Sequence, residues 1–446
     1  MSAGAAKTVR IGAGQGFMGE DPALMRAVLV DGVDYLVCES LAERTMGLLE
    51  EARQRDETAG YAADLADRID VVAEDVFAGR TRFVTNAGGV NPIAAQRAVV
   101  ARLRERGHRG RKIGLVIGDA VDPARIEPAP AGRLLSATAY LGAAGIVEAL
   151  ARGADIVITG RVADACLFLG PLIHEHGWSF DDWDHLAAGI VVGHLLECSA
   201  QSTGGNYSGD WWNTVDPWRA GLPIAEVEGS GRAVITKPAG TGGRVSFDTV
   251  REQLLYEVHD PRRYLTPDVV VDMTSVTVTD LGADRVEISG TRGAPRPPTL
   301  KGIAFSEAGF AGEATLTYAW PDAFAKARFV LDSVRRESES MGLAVEEWCA
   351  EYFGVCGFGG PTVALDDRPS DPPEVVGRLA WRTADLATAR SVAALFRTVA
   401  LTGPPGLQGI GRRAVPAPPT PLVVLDDFLI DRDLVEPGVQ VHVEEI

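Results

Sequence analysis

The feature that most constrains the fold is an alternation of short apolar runs and helical patterns through the first half of the chain. The runs are rich in Val and Ile, and the segments between them repeat apolar residues with a helical period. Strands that alternate with helices typically form parallel sheets covered on both faces. We therefore predict a doubly wound, largely parallel α/β domain over residues 1–205. Its predicted strands are Thr8–Gly12, Tyr35–Cys38, Arg82–Thr85, Ile113–Ile117 and Ile156–Thr159.

The second half of the chain has a different pattern. Short alternating runs follow one another with few helices between them, and the Gly-Ser-Gly turn at residues 229–231 separates two such runs. A turn of this kind is typical of a β-hairpin. We predict an α+β domain with antiparallel strands over residues 206–446.

Charge and composition limit the class of partner. The chain has 446 residues and a formal net charge of −18, which argues against nucleic acid and against an anionic membrane surface. No apolar run has the length of a membrane-spanning helix, and five scattered cysteines fit reduced thiols in a cytosol. We expect a cytoplasmic protein that acts on a small molecule, as a homodimer or higher homo-oligomer.

Polar and glycine-rich segments follow the predicted strands. Ligands of open α/β sheets bind beyond the carboxyl ends of the strands, and glycine lets backbone amides approach a ligand closely. Several such segments at one edge predict the rim of a cleft. They are Gly12–Gly16, Cys38–Ser40, Asn86–Pro92, Gly118–Asp119 and Thr159–Asp164.

The segment Thr159–Asp164 joins a strand end, a glycine and the start of a helix. An arginine beside free helix amides is typical of a carboxylate or phosphate site. We predict that Arg161 binds an anionic group and that Asp164 transfers a proton. The alternative is structural, with an acid near a helix N-terminus paired to a buried arginine.

Two further strand ends carry candidate catalytic groups. We predict Glu39 as a second proton-transfer residue, with an N-cap region as the structural alternative. Asn86 and the amides of Gly88 and Gly89 are candidates for stabilising an oxyanion. Asn91 is a candidate for a substrate carbonyl, although these residues could equally hold a turn.

The densest polar stretch is Glu197–Tyr207, and in it we predict that Gln201, Thr203 and Asn206 contact the substrate. Cys198 has His194 four residues before it, which suggests a nucleophile and a base. Cysteine is also a common buried residue, and we consider that role the better explanation.

A glycine-rich loop at Lys237–Arg244 resembles a phosphate cradle without the residue order of a P-loop. We predict that Lys237 holds an anionic group and that Thr241 contacts the substrate, with a plain turn as the alternative. His174 and His176 form a pair without a third ligand, so we predict no metal site.

The segment Gly14-Gln15-Gly16-Phe17-Met18-Gly19 has the glycine spacing of a dinucleotide-binding turn. The match begins two residues after the expected strand end, and the next helix starts only after Asp21-Pro22. We favour a ligand-facing loop in which Gln15 and Gly16 contact the substrate. Glu39 lies where a ribose-binding acid would fall, which keeps NAD(P) binding open.

Six ordered motifs give the chain its family resemblance. It resembles the acyclic terpene utilisation (AtuA-type) family, and the resemblance implies branched acyl-CoA or carboxylic-acid metabolism. The motifs are GAGQGFMGED, NAGGVNP, TGRVADACLFLGP, ECSAQSTGGNY, KPAGTGGRV and EQLLYEVHDPRRYLTPDVVVD.

Three hypotheses follow. The leading one is an enzyme acting on a branched acyl-CoA thioester or related acid by lyase, hydratase/dehydratase or hydrolase chemistry. It needs no metal or redox cofactor, and CoA enters only as part of the substrate. The alternatives are an NAD(P)-dependent oxidoreductase and a non-catalytic acyl-CoA-binding or scaffold protein.

Overall fold

The computed structural model describes residues 7–127, 132–357, 372–408 and 416–446. The strands there are β1 Thr8–Gln15, β2 Tyr35–Cys38, β3 Arg82–Thr85, β4 Lys112–Ile117, β5 Arg133–Ala139, β6 Ile156–Thr159, β7 Ile224–Glu228, β8 Ala233–Thr236, β9 Tyr264–Leu265, β10 Val270–Asp272, β11 Thr277–Gly282, β12 Arg285–Ser289, β13 Arg292–Ala294, β14 Thr299–Ala319, β15 Val345–Phe353, β16 Glu374–Thr383, β17 Leu407–Gln408, β18 Thr420–Asp431 and β19 Gln440–Glu445. The helices are α1 Pro22–Asp31, α2 Glu43–Arg55, α3 Leu65–Phe77, α4 Pro92–Glu105, α5 Ala144–Ala151, α6 Cys166–His176, α7 Trp183–Leu196, α8 Phe247–Leu255, α9 Ala323–Ser340 and α10 Leu386–Thr402.

The fold is a mixed α/β fold with one large sheet in the order β11-β12-β8-β7-β1-β2-β3-β6-β4-β19. The five consecutive strands β1-β2-β3-β6-β4 pair in parallel, and their short apolar sequences are buried. Antiparallel strands extend the sheet on both sides, beginning with β7 beside β1 and β19 beside β4. The sheet is therefore mixed, where the sequence predicted a largely parallel one, because strands from the second half of the chain add to its edges.

Two groups of helices pack against this sheet. Helices α1, α3 and α4 contact one another in sequence order, and so do α5, α6 and α7. Helix α7 is buried at every position from Leu186 to Leu196, which explains why its sequence is apolar all round. The helices and the parallel strands together form one buried apolar core.

The described chain divides into two compact units. The first comprises Met1–Pro130, Leu134–Phe305 and Leu425–Ile446, and the second Ala131–Arg133 and Ser306–Val424. A division between residues 205 and 206 would fall inside the first unit, because β7 and β8 pair into its sheet. The second unit has antiparallel strands in the order β15-β16-β14-β17, with α9 and α10 on them.

No helix in these described ranges has the length and apolarity needed to cross a lipid bilayer.

Candidate functional site

The carboxyl ends of β1, β2, β3 and β6 meet, because these strands are parallel neighbours in the sheet. Hydrogen bonds join the residues that follow them. The Glu39 amide donates to the Gln15 carbonyl at 3.0 Å, and the Ser40 amide donates to Asn86 Oδ1 at 2.8 Å. The structure thus brings Gln15, Glu39 and Asn86 together at one edge of the sheet.

A cavity of about 330 Å³ opens at this edge, within the first unit. That volume is at the lower end of the range for small-molecule sites. Five carboxylate side chains line it, together with small, polar and aromatic residues. The lining residues are Gly16, Phe17, Glu39, Ala42, Glu43, Asp164, Glu197, Cys198, Ser199, Ala200, Gln201, Gly205, Asn206, Tyr256 and Glu257.

Glu39 is the most deeply placed of these carboxylates, with 5% of the residue exposed. Its Oε1 accepts hydrogen bonds from the Leu41 amide and from Asn86 Nδ2, the latter at 3.0 Å. Among the described residues no partner is recorded for its Oε2. Burial raises the pKa of Glu39, while the Arg161 guanidinium and the hydrogen bonds oppose that rise.

Asp164 lies beside Glu39 at the cavity and is held by Arg161. The guanidinium of Arg161, 1% exposed, donates to Asp164 Oδ1 and to the carbonyls of Leu41 and Val162. It also lies 4.6 Å from the ring centroid of Tyr140. Burial and then the carboxylates of Glu39 and Glu197 raise the pKa of Asp164, against the attraction of Arg161.

Arg161 is thus fully engaged by the protein. Its own backbone amide donates to the buried carboxylate of Asp119 at 2.9 Å. This geometry favours a role in positioning Asp164 over the predicted role of binding a substrate anion.

Three lining carboxylates were not among the predicted site residues. Glu43 begins α2, and Glu197 and Glu257 follow the C-terminal ends of α7 and α8. Glu197 Oε1 lies 3.1 Å from His194 Nδ1, whereas Glu197 Oε2 is buried without a hydrogen-bond partner in the described chain. Glu197 belongs to the dense polar stretch Glu197–Tyr207, but a rule based on strand ends does not select residues at helix ends.

The loop after β1 forms one wall of the cavity. Gly16 packs directly against the backbone of Ser199, where a Cβ would collide with it, so only glycine fits. The Gly16 amide donates to Glu20 at 2.8 Å, and Ser199 Oγ donates to the same carboxylate. Gln15 itself is buried and donates to Asp64 Oδ2 at 2.8 Å, so it holds this loop beneath the cavity wall.

The N-terminus of α1 does not resemble a pyrophosphate site. Asp21 caps this helix, and its side chain accepts from the Ala23 amide. A carboxylate at that position repels a phosphate from the helix amides. The local geometry therefore favours the ligand-facing loop over the dinucleotide-binding turn.

The segment after β3 is engaged internally. The Gly88 amide donates to the Thr159 carbonyl at 3.1 Å, and the Gly89 amide donates to the Asn86 carbonyl at 3.1 Å. Asn91 caps α4 and donates to the carbonyls of Glu57 and Ala59. These groups fix the strand ends, and the two glycine amides are not free for an oxyanion.

The stretch after α7 is divided between the cavity and the core. Gln201 and Asn206 line the cavity, and their contact with a substrate stays a prediction. Thr203 is buried, and its hydroxyl donates to the carbonyl of Gly221 at 2.7 Å, away from the lining residues. Burial raises the pKa of Cys198, with a further contribution from Glu197, which disfavours the thiolate that a nucleophile needs.

The Lys237–Arg244 loop lies outside the cavity lining. Lys237 Nζ donates to the Thr241 carbonyl at 3.0 Å and pairs with Asp284 at 3.1 Å. Thr241 Oγ1 donates to the Pro238 carbonyl at 2.7 Å. Both side chains therefore stabilise the loop in this structure, the arrangement expected of a plain turn.

Within the described ranges, no group of three His, Cys, Asp or Glu side chains has the arrangement of a metal site. The carboxyl groups that line the cavity can each donate or accept a proton.

A family model, described as acyclic terpene utilisation family protein AtuA, matches residues 9–441. The chain belongs to the AtuA family. The match covers nearly the whole chain, both compact units included. No curated protein and no solved structure matches it. Membership of the AtuA family suggests a metabolic role in acyclic terpene utilisation.

Proposed function

We propose that this AtuA-family protein is an enzyme that transfers protons at a branched acyl-CoA thioester or a related derivative of a branched carboxylic acid. The reaction class that we propose is that of a lyase, a hydratase/dehydratase or a hydrolase. The observation that carries the proposal is the pair of neighbouring carboxyls, Glu39 and Asp164, whose pKa values are both raised at one cavity.

A raised pKa makes a carboxyl group a better proton acceptor when it is ionised and keeps it available as a proton donor over a wider pH range. General acid–base catalysis is most efficient when the pKa of the group lies near the working pH. Charge repulsion between Glu39 and Asp164 favours a state in which one is ionised and the other protonated. One group can then remove a proton from the substrate while the other supplies one.

The surroundings of the pair support the same role. Arg161 and Asn86 fix the two carboxyls from the protein side, so each keeps its orientation without help from a ligand. Such a preformed arrangement lowers the cost of reaching a productive geometry. Phe17 and Tyr256 add aromatic surface to the lining, which suits an apolar branched chain.

The proposal is tested by incubating the protein with isovaleryl-CoA and 3-methylcrotonyl-CoA in D₂O. Mass spectrometry is expected to show deuterium at the α-carbon, a hydrated product or release of CoA. The Glu39→Gln variant should lose about 10²–10⁴-fold of that rate, because its amide still accepts the same hydrogen bonds but transfers no proton. The exposed Glu57→Gln variant is the matched control.

Retention of the full rate in Glu39→Gln would contradict the assignment of Glu39. Absence of all three reactions in the unaltered protein, with these and longer branched thioesters, would contradict the proposed function itself.

A further inference from the structure

Three tryptophans are exposed in one short segment of the first unit, residues 208–219, which we call the tryptophan segment. Trp211, Trp212 and Trp218 are 61%, 67% and 76% exposed, and none of them lines the cavity. Exposed tryptophans of this kind are enriched at protein–protein interfaces. We propose that the tryptophan segment is the surface through which two copies of this chain associate as a symmetric dimer. Association through this surface does not depend on the chemistry proposed for the cavity.

The tryptophan segment is held in place by backbone hydrogen bonds. It contains two short 3₁₀ helices, Trp211–Asn213 and Pro217–Arg219. The carbonyls of Val215 and Arg219 accept hydrogen bonds from adjacent amides of the Lys237–Arg244 loop, at 2.7 and 2.9 Å. Neighbouring residues of one loop therefore hold the chain before and after the second 3₁₀ helix. A surface fixed in this way loses little conformational entropy when it meets a partner.

The exposed aromatic area is large enough for a dimer. The rings of Trp211 and Trp212 meet edge to face, with their centroids 5.6 Å apart. A tryptophan side chain can bury about 250 Å², so the three exposed ones leave about 500 Å² in water on each copy. Two such surfaces bury about 1,000 Å² when they meet, which is the size that a specific interface needs. Val215, 65% exposed, adds further apolar area.

The charges of the tryptophan segment suit a second copy of it. Asp210 is paired with Arg244 at 2.6 Å. Asp216 and Arg219, on either side of Trp218, are exposed, and no ion pair is recorded for them in the part of the chain that the structure describes. In a two-fold symmetric interface every contact between two different residues occurs twice. One exposed acid and one exposed base can therefore form two ion pairs across the dimer.

The net charge of the chain limits the other partners of this surface. At −18, the chain is repelled by nucleic acid and by an anionic membrane. A second copy carries the same charge, but at physiological ionic strength repulsion between exposed charges is screened beyond about 8 Å. The local pairing of acid and base then outweighs the distant charges. A second copy is therefore the partner that this surface fits.

Sedimentation velocity of the purified full chain tests the proposal, at concentrations from about 0.1 µM to about 100 µM. We expect a dimer that dissociates on dilution. Trp218→Ser should raise the dissociation constant at least about 100-fold, because a buried tryptophan is typical of an interface hot spot and the dimer contains two copies of it. Trp320→Ser is the matched control, since Trp320 is 68% exposed and lies outside the tryptophan segment. It should leave the dissociation constant within about twofold.

Two variants of Arg219 test the ion pairs. Arg219→Glu places like charges opposite each other and should raise the dissociation constant about tenfold, whereas Arg219→Lys keeps the positive charge and should stay within about threefold. An unchanged dissociation constant in Arg219→Glu would contradict the pairing of Asp216 with Arg219. Far-ultraviolet circular dichroism checks that each variant folds.

A protein that stays monomeric over the whole concentration range would overturn the proposal. So would a dimer whose dissociation constant is unchanged in Trp218→Ser, or one that Trp320→Ser weakens as much. Co-sedimentation of a monomer with phosphatidylcholine vesicles, lost in Trp218→Ser, would assign the surface to a membrane instead. None of these measurements depends on turnover of a substrate, so they succeed or fail separately from the proposed function.

Discussion

Arg161 and Lys237 are both buried cations, and each is held by a carboxylate and by at least one backbone carbonyl. Their side chains are 1% and 7% exposed. Arg161 pairs with Asp164, which lines the cavity, whereas Lys237 pairs with Asp284, which does not. The two cations differ in their partners. A buried cation can influence catalysis when the carboxylate that it orients lines the cavity and can contact a ligand.

The largest effect that we expect comes from removing those two carboxylates in turn. Asp164→Asn should lower the rate of α-exchange or hydration of a branched acyl-CoA by about 10²–10⁴-fold, because the amide cannot exchange a proton. Asp284→Asn should leave the rate within about twofold, since Asp284 is outside the cavity lining. The rates are measured by mass spectrometry in D₂O.

Equal losses of rate in these two variants would contradict this distinction, because the rate would then not depend on whether the carboxylate lines the cavity. Thermal melting of both proteins is the control for loss of fold.

The parallel strands were predictable because their signal is local. The predicted bounds of β2, β3 and β6 agree with the structure, and β1 extends three residues further, to Gln15. The strand-end rule also brought Glu39, Asn86, Arg161 and Asp164 into one region. The long-range pairings were not predictable. The sequence of β7 does not indicate that it pairs with β1, and the sequence of β19 does not indicate that it pairs with β4.

The details of the site depend on which donors the protein itself uses. Glycine amides and a lysine look alike in sequence whether they are free or engaged. Gly88, Gly89 and Lys237 are engaged, and only the three-dimensional partners Thr159, Asn86 and Asp284 reveal it. The predicted anion-binding roles therefore depended on information that a sequence pattern does not contain.

The second expected effect concerns stability and compares the two cations themselves. Arg161→Met should lower the free energy of unfolding by about 3 kcal/mol, because the carbonyls of Leu41 and Val162 lose buried donors. Lys237→Met should cost about 1 kcal/mol, since its partner Asp284 is 39% exposed and can be solvated. Chemical denaturation at one pH measures both values.

A larger loss of unfolding free energy for Lys237→Met than for Arg161→Met would contradict this order. It would show that the Lys237–Arg244 loop contributes more to stability than Arg161 does. Ligand affinity is the second measurement on these proteins. It should fall in Arg161→Met, which releases Asp164, and stay unchanged in Lys237→Met.

The smallest effect concerns Asp119, whose buried carboxylate accepts a hydrogen bond from the Arg161 amide. Burial raises the pKa of Asp119 to about 6, against the hydrogen bond from the Arg161 amide. The folded protein therefore binds this proton more tightly than the unfolded chain, whose aspartate pKa is about 3.9. The resulting stabilisation is fully present below about pH 3.9 and is lost as the pH rises through about 6.

Asp119→Asn removes this titration while keeping an oxygen that accepts from the Arg161 amide. Between about pH 5 and pH 7 the unaltered protein should lose about 1 kcal/mol of stability that the variant retains. Unfolding free energies of both proteins at the two pH values give the difference directly. If the two proteins change in parallel, Asp119 does not titrate in this window, and the buried support of Arg161 is independent of pH. A steeper loss in the variant would reverse the sign argued here and would place the proton on the unfolded chain.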